Sequence, residues 1–295
     1  MTVRNSSANT LAWILLISIS AIWGSSFILI KRGLLIFSAG ELGALRISMA
    51  FLTLAPVAIK KIPRISTSKL PVLFVLGMNG SFIPAFLFAI AQTSLDSAIT
   101  GVINALTPIF VILIGFIFFH IKVKSINILG IFIGFSGIVL LLLGASGFDI
   151  SGVNYYAFFI VMATIMYGIN VNLIKQYTPD IKALDITAIS LFLTSPFCLF
   201  YLFGFTEIVA KASWESQFVW AFTYVTILGV IGTAGALVLF NRLVQISSPL
   251  FASSVTYLIP LVAIMWGIMD GEIINFYQYV GMGIALVGVW LANKK

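Results

Sequence analysis

Asn104-Ala-Leu-Thr-Pro108-Ile-Phe-Val and Thr256-Tyr-Leu-Ile-Pro260-Leu-Val-Ala decide how this chain folds, because they occupy matching places in its two halves. Each lies in an apolar stretch of helical length, followed by a short polar turn and a second apolar stretch with regularly spaced small residues. After the first comes Gly130-Ile-Phe-Ile-Gly134-Phe-Ser-Gly137; after the second comes Gly281-Met-Gly-Ile-Ala285-Leu-Val-Gly288. The prolines stand 152 residues apart and the leading glycines 151, so one residue lost from the connecting turn reconciles the registers. Internal repeats of this kind are how many membrane carriers build two-sided access.

Composition makes lipid the solvent. Of 295 residues, 61% are hydrophobic and 8% charged, and the mean hydropathy is +1.14; a soluble domain of this size could not bury so much apolar side chain. The run from Leu11 to about Ile30 lacks a small-residue cleavage pattern and is followed by further spans, so it reads as a retained helix and not a signal peptide. The single cysteine, Cys198, excludes an internal disulfide. No residue cluster suggests a metal or cofactor. Hydropathy predicts an all-α membrane protein of ten transmembrane helices, near 11–30, 39–59, 70–92, 97–119, 126–144, 153–174, 184–203, 217–240, 249–269 and 275–292. No linker divides them, so 1–295 reads as one membrane domain, with repeats over 11–144 and 153–292.

The net charge of +7 follows topology. With the N-terminus cytoplasmic and each span reversing direction, the inner side holds Arg4, Lys60, Lys61, Arg64, Lys69, Lys122, Lys124, Lys175, Lys182, Arg242, Lys294 and Lys295. The outer side holds Lys31, Arg32 and Lys211, together with most acids: Glu41, Asp96, Asp149, Glu207, Glu215, Asp270 and Glu272. Such asymmetry sets orientation during insertion and leaves both termini cytoplasmic. It requires no nucleic-acid partner.

The repeat extends to the front of each half. Ile22-Trp23-Gly24-Ser-Ser-Phe-Ile-Leu-Ile30-Lys31 lies against Met166-Tyr167-Gly168-Ile-Asn-Val-Asn-Leu-Ile174-Lys175, 144 residues on, and Phe51-Leu-Thr-Leu-Ala-Pro56 against Leu191-Phe-Leu-Thr-Ser-Pro196. Five spans per copy is an odd number, so the second copy enters the membrane upside down. Lys175 then obeys the positive-inside rule while Lys31 breaks it, as an inverted pair should. Inverted halves can exchange roles around a site near the midplane, which gives alternating access.

Trp23-Gly24, Leu45-Arg46, Pro108 and Pro260, Ala89-Ile-Ala-Gln-Thr-Ser-Leu-Asp-Ser-Ala98, the Asp270-Gly-Glu272 turn and the Gly-spaced fifth and tenth helices together form an outline. It resembles the EamA family of the drug/metabolite transporter superfamily over nearly the whole chain. The resemblance implies an exporter of small metabolites, with amino acids a common substrate class, in a bacterial cytoplasmic membrane. One departure is His120, which stands where the second half has Glu272.

Polar groups in lipid are costly unless satisfied, so those within spans should face the bundle interior. Arg46 lies about 10 Å from its helix end at 1.5 Å per residue; its guanidinium either holds a substrate carboxylate or ties down neighbouring carbonyls. Trp23 and Ser26 share a helical face, which Tyr167 and Asn170 reproduce; this suits an aromatic-walled cavity or, for the aromatics, plain packing. Thr100, Asn104 and Thr107 share a face beside Pro108, as Ser253, Thr256 and Tyr257 precede Pro260. Both prolines read as hinges or fixed kinks. Asn79 is the deeper polar group of the third span, on a different face from Gln92 at 100° per residue. Asn241 is expected at the cytoplasmic end of the eighth helix. The glycine sets should pack helices together.

The candidate substrate-binding set is thus Trp23, Ser26, Arg46, Asn79, Asn104, Tyr167, Asn170 and Tyr257, with hinges at Pro108 and Pro260 and no metal ligand. No nucleophile–base set or phosphate loop supports an enzyme. A monomeric carrier moving a small molecule such as an amino acid is the leading reading, facilitated efflux its mechanism, and a channel or a lipid or drug flippase the alternatives. No carboxylate in the first helix supplies proton coupling, and Asp96, Asp270 and Glu272 are expected to be solvated in outer turns.

Overall fold

The computed structural model of the chain describes residues 3–120, 124–145 and 154–292. Lys122, Asp149, Lys294 and Lys295, part of the predicted charge asymmetry, lie outside the described residues, as does the side chain of Arg4. Among the described residues all regular structure is helical. Nine of the described helices are long and apolar enough to cross a membrane: α1 (Thr10–Gly33), α2 (Ala39–Arg64), α3 (Thr67–Ala91), α4 (Ser97–Phe119), α5 (Ser125–Gly144), α6 (Ala157–Tyr177), α7 (Ala183–Phe205), α8 (Ser216–Ile246) and α9 (Phe251–Met269). A tenth apolar helix, α10 (Phe276–Ala292), has 17 residues. The Asn275 side chain accepts from the Gln278 amide at 2.9 Å, a cap that fixes its first turn. Large apolar side chains point outward around the bundle, among them Leu52, Phe116, Phe132, Phe200 and Trp290, as a lipid-facing surface requires.

Two helices are wound more loosely at mid-length. α3 contains a π-helical turn at Met78–Phe82 and α8 one at Val230–Gly235. α8 runs for 31 residues and ends at Ile246, past its expected end near 240. Each π-turn opens with the same pattern, Gly77-Met-Asn-Gly80-Ser81 and Gly229-Val-Ile-Gly232-Thr233, at the 152-residue offset of the prolines. Hydropathy carries no trace of either, because a π-turn changes register and not polarity.

The prolines behave differently from one another. α4 breaks between Asn104 and Thr107, and Pro108 begins its second segment, where a missing N–H costs nothing. In α9 the interruption falls at Ser254, and Pro260 sits inside the continuous helix Val255–Met269. There it deprives the Thr256 carbonyl of its usual donor.

Helix pairings respect an exchange of the two halves. α1 packs on α9 as α6 packs on α4, α2 on α8 as α7 on α3, and α1 on α8 as α6 on α3. The pairs α2–α7, α4–α9 and α5–α10 map onto themselves. The tightest of these is α5–α10, where the two glycine sets meet face to face. A Cβ on Gly137 would lie 2.7 Å from Ala285 Cα and 2.8 Å from the Gly281 carbonyl; one on Gly281 would lie 2.6 Å from the Leu141 amide. Backbones this close exchange dispersion over their whole length, a contact only small residues permit. Asn127 Nδ2 donates to the Ala292 carbonyl and Asn275 Nδ2 to the Gly144 carbonyl, both at 2.7 Å, clamping each end of the seam.

The end of the bundle carrying Lys31 is held by two buried carboxylates. Glu272 receives the Ser97 and Ala98 amides at 3.0 and 3.1 Å, capping α4, and pairs with Lys31 Nζ at 2.9 Å. Lys31 also meets Asp270 at 2.8 Å, and Arg32 pairs with the same carboxylate. Glu41 caps α2 through Ser38 and receives Lys211 Nζ at 2.7 and 2.8 Å. The expectation that Glu272 and Asp270 are solvated fails: their side chains are 2% and 9% exposed, because the unpaired amides of α4 draw Glu272 inward and Lys31 and Arg32 hold Asp270. Among the described residues the opposite end is held by fewer buried ion pairs. Lys175 donates only to the carbonyls of Val244, Gln245 and Ser247, Lys61 lies 3.9 Å from Asp185, and Lys69–Asp180 is largely exposed.

Gly137→Val should lower the stability of the detergent-solubilised protein by about 1–3 kcal/mol through overpacking, read as a lower melting temperature. Gly283→Val, where a Cβ meets nothing within 4 Å, is the control and should melt like the parent. Glu272→Ala should cost about 3 kcal/mol, the scale for removing one partner of a buried pair; adding Lys31→Met should recover part of it in a double-mutant cycle of thermal unfolding.

Candidate functional site

The two π-turns shape the middle of the bundle. A helix that takes in one extra residue rotates its remaining length by about 100° and leaves carbonyls turned out of the ladder. Trp23 Nε1 donates to one of these, the Gly232 carbonyl, at 3.0 Å. The Thr233 hydroxyl donates to the Leu228 carbonyl at 3.0 Å and accepts from Arg46 Nε at 2.7 Å. In the other turn Ser81 Oγ donates to the Gly77 carbonyl at 3.0 Å. Gly80 lies flat beneath Asn170, where a Cβ would come 2.6 Å from Nδ2.

Around these turns lies a cavity lined by residues of both halves. Its walls follow the exchange of halves. Trp23 and Tyr167, Ser26 and Asn170, and Phe27 and Val171 stand 144 residues apart. Gly80 and Gly232, Ser81 and Thr233, Phe88 and Phe240, and Asn104 and Thr256 stand 152 apart. The aromatic contacts obey the same rule: Trp23 lies 4.9 Å from Phe240 between ring centroids, and Tyr167 lies 6.1 Å from Phe88.

Of the residues expected at the site, Trp23, Ser26, Arg46, Asn104, Tyr167 and Asn170 are brought together on this cavity. Asn79 and Tyr257 are not among its lining residues. Asn79 lies inside the α3 π-turn, so counting 100° per residue aims it wrongly and its place is taken by Gly80 and Ser81. The Tyr257 hydroxyl instead donates to the Val289 carbonyl at 2.9 Å, joining α9 to α10. Phe88, Phe240, Ser81 and Thr233 were not singled out as site residues by sequence; the duplicated Gly-x-x-Gly-Ser/Thr pattern is the signal that would have found the last two. Asn241, expected at the surface, is buried and donates to Thr187 Oγ1 at 2.8 Å.

Chemically the cavity is apolar with few, unevenly distributed polar groups. Arg46 is half-buried, and among the described residues no carboxylate lies within 4.0 Å of it. Arg46 lines the cavity; its Nε is used by Thr233, and among the described residues no hydrogen bond is made by its two terminal nitrogens. The side-chain oxygens of Asn104 and Asn170 are buried without a partner. A cation with free donors and two free acceptors in one enclosure is a set of unmet hydrogen bonds, each costly until a ligand meets it.

Comparison with known proteins agrees with this architecture. An uncharacterized transporter of Archaeoglobus fulgidus is 24% identical over 287 residues, covering 96% of this chain and 99% of the relative. The uncharacterized inner membrane transporter YedA of Escherichia coli is 24% identical over 293 residues, covering 94% and 89%. A solved crystal structure superposes with a TM-score of 0.65 at 14% identity, covering 97% of this chain and 96% of that one, and so shares the fold. Residues 10–143 and 154–294 each match the EamA-like transporter family. Helices of membrane-crossing length, the paired halves and these two matches together make the chain a multi-pass membrane protein of the EamA-like transporter family.

Proposed function

We propose that this protein is a carrier that exports small metabolites, amino acids first among them, by alternating access around the central cavity. The observation that carries the reading is an Arg46 guanidinium without a carboxylate partner among the described residues, in a mid-bundle cavity whose walls repeat under exchange of the two halves. Ten spans form two inverted five-helix repeats, α10 crossing at the lower limit of about 17 residues. The described cations at the Lys175 end, Lys60, Lys61, Arg64, Lys69, Lys124, Lys175, Lys182 and Arg242, outnumber Lys31, Arg32 and Lys211. That end, with both termini, faces the cytoplasm. The membrane is a bacterial inner membrane, as the name of the Escherichia coli relative suggests, and the carrier works as a monomer.

Each group has a part in binding. The free Arg46 nitrogens take the substrate carboxylate as a charge-assisted pair. The Asn104 oxygen accepts from its ammonium group, Asn170 meets the substrate side chain, and Trp23 and Tyr167 wall it. Ser26 lends a hydroxyl. Exchange of the roles of α4 and α9, each interrupted near its proline, opens one end while closing the other, with Pro108 and Pro260 as the hinges.

The test is counterflow in liposomes. Vesicles loaded with unlabelled amino acids should accumulate external label transiently and saturably. Arg46→Gln should reduce exchange about tenfold, the loss of about 1.4 kcal/mol of binding, and Trp23→Ala several-fold. Flux that rises linearly with concentration and shows no counterflow would make the protein a channel. Full exchange by well-expressed Arg46→Gln would overturn the site.

A further inference from the structure

A second, smaller chamber adjoins the main cavity and shares Gly80, Ser81, Asn170 and Leu237 with it. Its position follows from the exchange of halves. The Arg46 end of the main cavity is bounded by Ser26, Ile30, Arg46, Gly232 and Thr233. Their counterparts, at the 144- and 152-residue offsets and at the 140 residues separating Pro56 from Pro196, are Asn170, Ile174, Ile186, Gly80 and Ser81. All five line the small chamber. It is therefore the mate of the Arg46 pocket, with Ile186 where the charge would be.

Loss of the charge leaves different chemistry. Asn170 Oδ1 and Ser190 Oγ are buried without a hydrogen-bond partner, and both residues are only 6% exposed. The far wall is closed by the Asn241–Thr187 hydrogen bond, so those two side chains are already engaged. Gly77 lets the Ser190 turn of α7 approach: a Cβ there would come 2.5 Å from the Ser190 carbonyl. Both oxygens are buried and can accept hydrogen bonds from a donor group.

Resting on the carrier reading, we propose that this chamber is a second substrate subsite that takes a hydrogen-bond-donating side-chain terminus, an amide, hydroxyl or ammonium. The preferred substrate is then two-ended: a carboxylate at Arg46 and a donor reaching Asn170 and Ser190. The pseudo-symmetric pockets have divided the labour, one reading charge and the other reading donors. An apolar side chain of equal length leaves the two acceptors unmet, and sites built to receive a donor discriminate strongly against ligands lacking one.

L-glutamine and L-methionine, alike in length, are the probes. In counterflow the parent protein should exchange glutamine in preference to methionine by about tenfold. Ser190→Ala and Asn170→Leu should bring that ratio down towards one, whereas Arg46→Gln should slow both substrates and keep it. Binding is read separately in Ser190→Cys on a Cys198→Ala background. Glutamine should slow its modification by aminoethyl methanethiosulfonate several-fold more than methionine does. Equal exchange in the parent, an undiminished ratio in folded Ser190→Ala, or equal protection of Ser190→Cys by the two amino acids would each overturn the subsite. Selective protection without counterflow of either would sustain the subsite and overturn the carrier reading. Absence of both would overturn the two together.

Discussion

Hydrocarbon offers no hydrogen-bond partner, and that constraint disposes the polar atoms of this chain. Side-chain donors and acceptors within the spans are mostly engaged by nearby carbonyls, as Ser20 is by Leu16 and Val255, and Asn172 by Gly168 and Val111. Among the described residues, buried side-chain oxygens of Ser48, Gln92, Thr100, Asn104, Asn170 and Ser190 have no partner, and the last three line the cavity or the chamber beside it. Those three collect where two helices have each been loosened by one residue, and the same π-turns supply the flat glycine surfaces beneath them. The cavity is a consequence of backbone register first and of side-chain choice second.

Around it the bundle is unevenly fastened. The α5–α10 seam joins the halves at a distance from the cavity through backbone contact, with no charge involved. The Lys31 end relies on two buried carboxylates that neutralise helix N-termini and lysines together. Its counterpart has His120 in place of Glu272, in a left-handed conformation at the close of α4 and exposed. The halves share an outline and differ in electrostatics, so the two ends need not open with equal ease.

The sequence carried most of the fold. Lipid solvation follows from composition alone, and the proline and glycine registers identify the helices that pair. Six of eight proposed site residues line one cavity, most of them on regular α-helix, where 3.6-residue periodicity holds. Asn79 lies within a π-turn and Asn241 beyond one, where that periodicity breaks. Tyr257 and Glu272 were misjudged for another reason. Their partners, the Val289 carbonyl and the first amides of α4, are backbone atoms, and no residue type announces them.

The π-turns also bear on how this chain can vary. Removing any one residue between 78 and 82 would restore an unbroken α-helix and turn everything beyond it through about 100°. Phe88 would swing off the cavity and Gln92 off the Phe27 carbonyl it now holds at 3.0 Å. Length in this short segment is therefore a heritable trait in its own right. A single-codon deletion there would re-aim half a helix, and a gap of one position among relatives would carry more meaning than many substitutions.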